Sequence, residues 1–348
     1  MSSVNIAVVM GGYSGEFEVS MGSGSIVVEH LRRVTDWNIH PIYITKEGWF
    51  AGDDKKAVNR EDFSYVDSSG SKVKFKAVFV AVHGTPAEDG KLLAYFDLLG
   101  IPHTTSSHFA SALTFNKAEC NLMLRSAGIR VAPSMFFIGS KLLIGGKSSS
   151  DSKEDSAYNN LTDEIDSKLI VDTLGLPLFV KPNCSGSSLG VSKVKTIEDL
   201  LPAFEAARKE SPQVLMESGI SGIELACGVH NLHGQAKALA VTEIVPKNEF
   251  FDYESKYSGM SEEITPARIS AQMTEEIMRT TERVYQLLQL NGLARVDYIL
   301  NQNGEAYLIE VNTVPGLSAE SIIPKQVRYL GEDLGKVFAG LVENLLQV

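Results

Sequence analysis

Short apolar runs broken by polar turns set the reading of this chain. Asn5–Met10 is a compact apolar run that ends in Gly11-Gly12, the pattern of a buried parallel strand entering a tight turn. Ser20–Arg33 predicts a helix, Asn38–Thr45 a second strand and Ala77–Val82 a third. Asp89–Leu99 places Leu92, Leu93, Phe96 and Leu99 on one helical stripe, stopped by Gly100. This alternation predicts a parallel sheet covered by helices. Ligands of such sheets sit at the carboxyl ends of the strands, where Gly11-Gly12 and His83-Gly84 fall.

Residues 140–160 break the rhythm with serine, glycine and charge, and read as a surface insertion. Beyond residue 171 the pattern becomes α+β. Leu178–Lys181 and Val191–Val194 are strands joined by the loop Asn183–Gly190, and Gln213–Glu217 is another strand. Gln272–Leu290 carries Met273, Ile277, Val284 and Leu288 on one helical face and closes at Asn291-Gly292. Leu293–Leu300 and Glu305–Asn312 form a hairpin around Asn301–Gly304.

Composition narrows the class. Of 348 residues, 44% are hydrophobic and 22% charged, which excludes disorder as the main state. With 32 Lys+Arg against 43 Asp+Glu the net charge is −11, which argues against nucleic acid or an anionic membrane as partner. Any bound anion must be held by a few placed cations and backbone N–H groups. Cys120, Cys184 and Cys227 have neither disulfide-framework nor zinc spacing, as suits a reducing compartment. The opening residues lack a basic stretch, and Ile6–Met10 and Ala77–Val82 fall far short of the roughly 18 apolar residues of a membrane span. The expected location is the cytoplasm.

The hairpin is the most informative local feature. With Asn301–Gly304 as a four-residue loop, Arg295 faces Glu310, and period-two alternation puts Leu293, Arg295 and Asp297 on one face with Leu308, Glu310 and Asn312. Oxygen ligands of this kind suit Mg²⁺, which takes few protein ligands and completes its shell with water and phosphate. The other reading is an exposed sheet face with an ordinary Arg–Glu pair. The loop Cys184–Gly190 is either a phosphate cradle of backbone N–H groups and serine hydroxyls or a plain turn. It is not a Walker A sequence. Lys181, inside the apolar strand before it, demands an anion. Lys117 is a second candidate phosphate cation. Glu217 and Glu224 could accept from adenine or ribose, or be exposed acids. Glu16 and Glu18 stand at the mouth of the first sheet, and Asp252–Tyr257 reads as a lid or a surface turn. His83 occupies a site-like strand end; His230 and His233 receive no role.

In order along the chain, GGYSGEFEVS (11–20), HGTPAEDG (83–90), ASALTFNKAE (110–119), FVKPNCSGSSLGVSKV (179–194), FDYESKY (251–257) and the segments within 294–324 resemble the D-alanine–D-alanine ligases, which are ATP-grasp enzymes. The resemblance implies an α/β and α+β fold: a Rossmann-like parallel sheet over 1–105, a central ATP-grasp domain over 106–217 and a C-terminal ATP-grasp domain over 218–348, with ATP between the last two. It implies that Lys117, Lys181, Gly186, Ser187 and Ser188 meet the phosphates, that Glu217, Ile220 and Glu224 meet the nucleoside, and that Phe250 contacts ATP. Asp297, Glu310 and Asn312 would hold two Mg²⁺ ions, or Mn²⁺. Glu16, Ser187 and Tyr257 would hold the first D-alanine and the lid, which also carries Lys256. His83, Arg295, Gly316 and Ser321 would surround the substrate carboxylates and the developing oxyanion. A cytoplasmic homodimer ligating two D-alanine molecules for peptidoglycan synthesis is the implied protein. Phe17 and Ser218 depart from the usual wording. The alternatives are a D-alanine–D-lactate ligase, disfavoured by Tyr257, and a nucleotide-binding protein without activity. A dinucleotide-dependent dehydrogenase is disfavoured because GGYSGE lacks GxGxxG spacing.

Overall fold

The computed structural model describes residues 4–139, 141–146, 165–184, 190–232, 234–246 and 261–347. Three five-stranded sheets organise them.

The first sheet contains β1 (Asn5–Gly11), β2 (Asn38–Ile44), β3 (Trp49–Ala51), β4 (Lys56–Ala57) and β7 (Ala77–Val80), in the order β4-β3-β2-β1-β7. A separate small ribbon pairs β5 (Tyr65–Val66) with β6 (Lys72–Val73). β1 runs parallel to both β2 and β7. It is apolar from Ile6 to Met10, where both of its faces are covered. Ile6, Val8 and Met10 pack with helix α1 (Phe17–Val34), while Ala7 and Val9 pack on the side of helix α2 (Lys91–Leu99).

The second sheet is antiparallel: β8 (Ser134–Ile138), β9 (Lys141–Gly146), β10 (Leu178–Pro182), β11 (Ser192–Val194) and β12 (Gln213–Ser218), in the order β11-β10-β12-β8-β9. Helices α5 (Ser167–Leu174) and α6 (Leu200–Glu210) bury Ile170, Leu174, Leu200 and Phe204 against it. β10 and β11 pair directly, so the glycine-serine segment joins neighbouring strands as expected. The expected insertion at 140–160 begins differently. Residues 141–146 are strand β9, paired with β8, because Leu142–Ile144 supply an apolar run within the glycine-rich stretch; 147–160 lie outside the described residues.

The third sheet holds β13 (Gly222–His230), β14 (Lys237–Pro246), β15 (Ser261–Ile264), β16 (Ala294–Asn301) and β17 (Ala306–Asn312), in the order β15-β14-β13-β16-β17. Helices α3 (His108–Phe115), α4 (Lys117–Ser126) and α7 (Ala271–Leu287) pack on one face through Ala110, Cys120, Leu124, Ile277 and Val284. Helix α8 (Ile322–Tyr329) covers the other face and helix α9 (Leu334–Leu346) returns to the first sheet, where Val337, Phe338, Leu341 and Val342 join Ile6, Val8 and Leu31 in one core.

The hairpin register differs from the expected one. Arg295 lies opposite Asn312 and Asp297 opposite Glu310, and a bulge between Asp297 and Tyr298 shifts the strands so that Tyr298 meets Leu308. The bulge leaves Leu308 and Val311 as the buried residues of β17, three apart rather than two. Leu308 therefore joins the buried face with Tyr298, not the polar one. Arg295, Asp297, Glu310 and Asn312 still share a face, because at that end the register has moved by two residues.

Candidate active site

Alternation on β16 builds the polar face. Ala294, Val296, Tyr298 and Leu300 point into the core, which turns Arg295 and Asp297 outward to partial exposure. The Arg295 guanidinium grips Asp297 with two hydrogen bonds, Nε to Oδ1 and Nη2 to Oδ2, both 2.7 Å. The Asn312 amide donates to Asp297 Oδ2 at 3.1 Å. Burial works against the charge on Arg295, but Asp297, with Glu310 and Glu263 nearby, outweighs it and holds the pKa above the ordinary arginine value. Among the described residues no three His, Cys, Asp or Glu side chains are gathered closely enough to hold a metal by themselves. Two carboxylates and an amide oxygen fit an ion that fills the rest of its shell from water and phosphate, as magnesium does.

A second cluster lies where the second sheet meets α4. Lys181 on β10 and Glu217 on β12 form an ion pair, both side chains at most a tenth exposed. Lys181 is thus an anion-paired lysine, as its apolar strand requires. The other Glu217 oxygen accepts from Asn121 Nδ2 on α4 at 2.8 Å. Lys117 opens α4, its Nζ 6.0 Å from the Phe115 ring centroid. Ile220 lies in the three-residue link from β12 to β13, and Glu224 on β13 is half-buried between Ile244 and Ile299.

The first sheet supplies a third group. Glu16 precedes α1, and Gly84 (φ +65°) sits so close that a Cβ there would stand 3.1 Å from Glu16 Oε2 and 2.7 Å from Ser14 Oγ. His83 has both ring nitrogens engaged. Nδ1 donates to the Val314 carbonyl at 2.8 Å, and Nε2 accepts from Ser23 Oγ at 2.9 Å, while Ser23 Oγ accepts from Leu317 N at 3.1 Å. Burial lowers the His83 pKa, which suits this neutral ring. His83 and Ser23 therefore fasten residues 314–317 to the first sheet. Gly316 lies against Ser321, a Cβ on it falling 2.9 Å from Ser321 Oγ. Ser321 is the N-cap of α8, and its hydroxyl bonds Ser318 Oγ at 2.7 Å.

Ser23, Asn121 and Glu88 belong to these groups without having been singled out from sequence. Glu88 accepts from Gly84 N at 2.8 Å. Burial, with Glu16 and Glu310 adding like charge, pushes its carboxyl up to about 8. Its place in HGTPAEDG was the available signal. Ser23 and Asn121 gave none, since a small polar residue inside a helix usually faces solvent. Gly186, Ser187, Ser188, Phe250, Lys256 and Tyr257 lie outside the described residues.

Known proteins share this layout. Residues 5–106 match the D-Ala D-Ala ligase N-terminus model and 153–347 the corresponding C-terminus model. A curated D-alanine–D-alanine ligase of Flavobacterium johnsoniae is 43% identical over 97% of this chain and 98% of its own. Among solved structures, the D-alanyl-alanine synthetase A of Vibrio cholerae superposes with a TM-score of 0.84 at 27% identity, covering all of both chains. The VanG D-Ala:D-Ser ligase of Enterococcus faecalis superposes at 0.81 with 30% identity, covering 99% of this chain and 100% of that one. No described helix is long and apolar enough to cross a membrane. On the strength of two family models that together take in most of its length, the chain belongs to the D-alanine–D-alanine ligase family.

Proposed function

We propose that the chain joins two D-alanine molecules into D-alanyl-D-alanine, with ATP converted to ADP and phosphate, for peptidoglycan precursor synthesis. The observation that carries this reading is the shared face of Arg295, Asp297, Glu310 and Asn312, in a chain of this family. In the first step a D-alanine carboxylate oxygen attacks the γ-phosphorus of ATP, ADP leaves, and an acyl phosphate forms. In the second the amino group of another D-alanine attacks the acyl carbon, gives up a proton, and expels phosphate.

Both steps gather negative charge, so fixed cations and preset donors account for most of the acceleration. Lys117 and Lys181 bind the phosphates, with the segment Gly186–Ser188 closing over them. Glu217, Ile220 and Glu224 take the nucleoside, and Phe250 contacts ATP. Asp297, Glu310 and Asn312 would hold two magnesium ions, or manganese. Such ions neutralise phosphate oxygens. Glu16, Ser187 and Tyr257 orient the first D-alanine, with Lys256 beside them in the lid. Arg295, Gly316 and Ser321 stabilise substrate carboxylate and oxyanion, and His83 holds that loop in place. Excluding water protects the acyl phosphate. The same reading places domain breaks near 105 and 217, makes the enzyme a homodimer and puts it in the cytoplasm with its nucleotide.

The test is ATP- and Mg²⁺-dependent phosphate release with D-alanine, L-alanine or no amino acid, and mass detection of product. Release and dipeptide with D-alanine alone are expected, and Asp297→Ala should lower turnover by about 100-fold or more. Offering D-serine or D-lactate as second substrate tests the acceptor. Preferential formation of the D-serine dipeptide or the D-lactate ester would replace the D-alanine assignment.

A further inference from the structure

Asn183 follows Lys181-Pro182 at the end of β10 and is fully buried. A buried primary amide costs stability unless all its groups are bonded, and here they are. Its Oδ1 accepts from Ala118 N at 2.8 Å and its carbonyl from Lys117 N at 3.4 Å. Its Nδ2 donates to Glu119 Oε2 at 3.1 Å and to Gln213 Oε1 at 3.2 Å, and its own N–H to the Gln213 carbonyl at 2.8 Å. The neighbouring Cys184 Sγ donates to Asn116 Oδ1 at 2.7 Å.

These bonds cross between two layers. β10 belongs to the second sheet, whereas α4 buries Cys120 and Leu124 with the third and only Ala118, at its start, against Phe136 and Leu215 of the second. Lys181 rides on the first body and Lys117 on the second, at the first residue of α4. The N-terminal N–H groups of a helix have no partners within it. Asn183 takes those of Lys117 and Ala118, and so fixes the helix start against the strand that carries Lys181.

We infer that Asn183 is a positioning residue for phosphate binding: it clasps the start of α4 to the end of β10 and sets the spacing between Lys117 and Lys181. The inference rests on the reading that Lys117 is a phosphate cation. Asn183 itself touches no substrate. Its loss would let the two lysines drift apart and weaken capture of the di- and triphosphate, with a smaller effect on the nucleoside, since Asn121, which bonds Glu217, lies a turn further along α4 and the groups assigned to the nucleoside lie outside that helix.

Asn183→Asp keeps the size and the oxygen that faces Ala118. It puts a charged oxygen where the amide now donates to Glu119 and Gln213. Binding of ADP with Mg²⁺ and of adenosine is measured by titration calorimetry on the full chain, with thermal melting alongside. The ADP dissociation constant is expected to rise about tenfold, with adenosine changed less than about twofold. Adding Glu119→Gln removes the opposing charge and supplies a donor, so it should restore most of the ADP affinity. This rescue also covers the case where Asn183→Asp melts early. Lys117→Ala is the reference. If it weakens ADP and Asn183→Asp does not, the clasp role is wrong and the reading of Lys117 stands. If Asn183→Asp weakens ADP and adenosine alike, Asn183 is only structural and the inference fails. If Lys117→Ala binds ADP normally, the reading of Lys117 fails and takes the inference with it.

Discussion

At the scale of single residues, Glu88 and the Lys181–Glu217 pair make different demands on the fold. The Glu88 carboxyl lies at about 8 in the folded chain against 4.5 in the open chain. Between those values the folded state holds a proton that the unfolded state has released, so stability falls as pH rises through the window. His83 acts in the opposite sense, but only below its ordinary 6.5, where the unfolded ring takes up a proton that the buried one resists. From about pH 6.5 to 8, therefore, urea unfolding should show a decline attributable to Glu88. Glu88→Gln keeps an acceptor for Gly84 N, and should flatten that decline and unfold at higher urea than the parent at pH 8. An unchanged slope would mean that Glu88 is ionised in the fold. Lys181→Met removes one member of a buried pair and leaves Glu217 charged, a loss of about 3 kcal/mol in the same assay, and adding Glu217→Gln should recover much of it. That Lys181 needs a counter-charge was legible in sequence, since it stands among Leu178, Phe179 and Val180. That Glu217 and Asn121 engage there was not, because they come from other elements 36 residues later and 60 earlier in the chain.

At the scale of elements, period and turn signals went far. The parallel core of the first sheet, the β10–β11 connection, the α7 stripe and the β16–β17 hairpin all follow from apolar spacing and from glycine and asparagine turns. Spacing also gave the correct polar face of the hairpin. It could not give the pairing along it, because a bulge adds one residue to β17 without leaving a mark in composition. Helix periodicity likewise says that a face is buried, never against what. Nothing in ASALTFNKAE tells that α3 and α4 pack on the third sheet, and it was that placement which brought Lys117 to the layer boundary. The same blindness covers α9. Phe338 on that helix is fully buried and meets Phe79 of β7 edge-on, with centroids 5.4 Å apart. Phe338→Ala should cost about 3–5 kcal/mol. Cutting the exposed Arg33–Asp333 pair, which joins α1 to the residue before α9, by Arg33→Ala should cost far less, because solvent screens it. Comparable losses for the two variants, measured by denaturant unfolding, would contradict this division between packing and charge.

At the scale of the whole molecule, the fold depends on bonds between distant parts of the chain. Thr105 Oγ1 donates to the Thr313 carbonyl, Ser106 Oγ to the Asn291 carbonyl, and His83 Nδ1 to Val314. The candidate substrate group is therefore built from first and last segments together, and its parts were legible only as motifs in a fixed order. The packing of α9 on β1 and α1 also has a meaning in time. Arg33 and Asp333 are 300 residues apart. A ribosome adding about 5–20 residues each second would take roughly 15–60 s to make that stretch. Throughout that interval the strand–helix layer made first keeps Ile6, Val8 and Leu31 without their final cover. The earliest-made sheet is thus the last to be finished, and a nascent chain halted before residue 334 would present an apolar surface to whatever binds such surfaces in the cell.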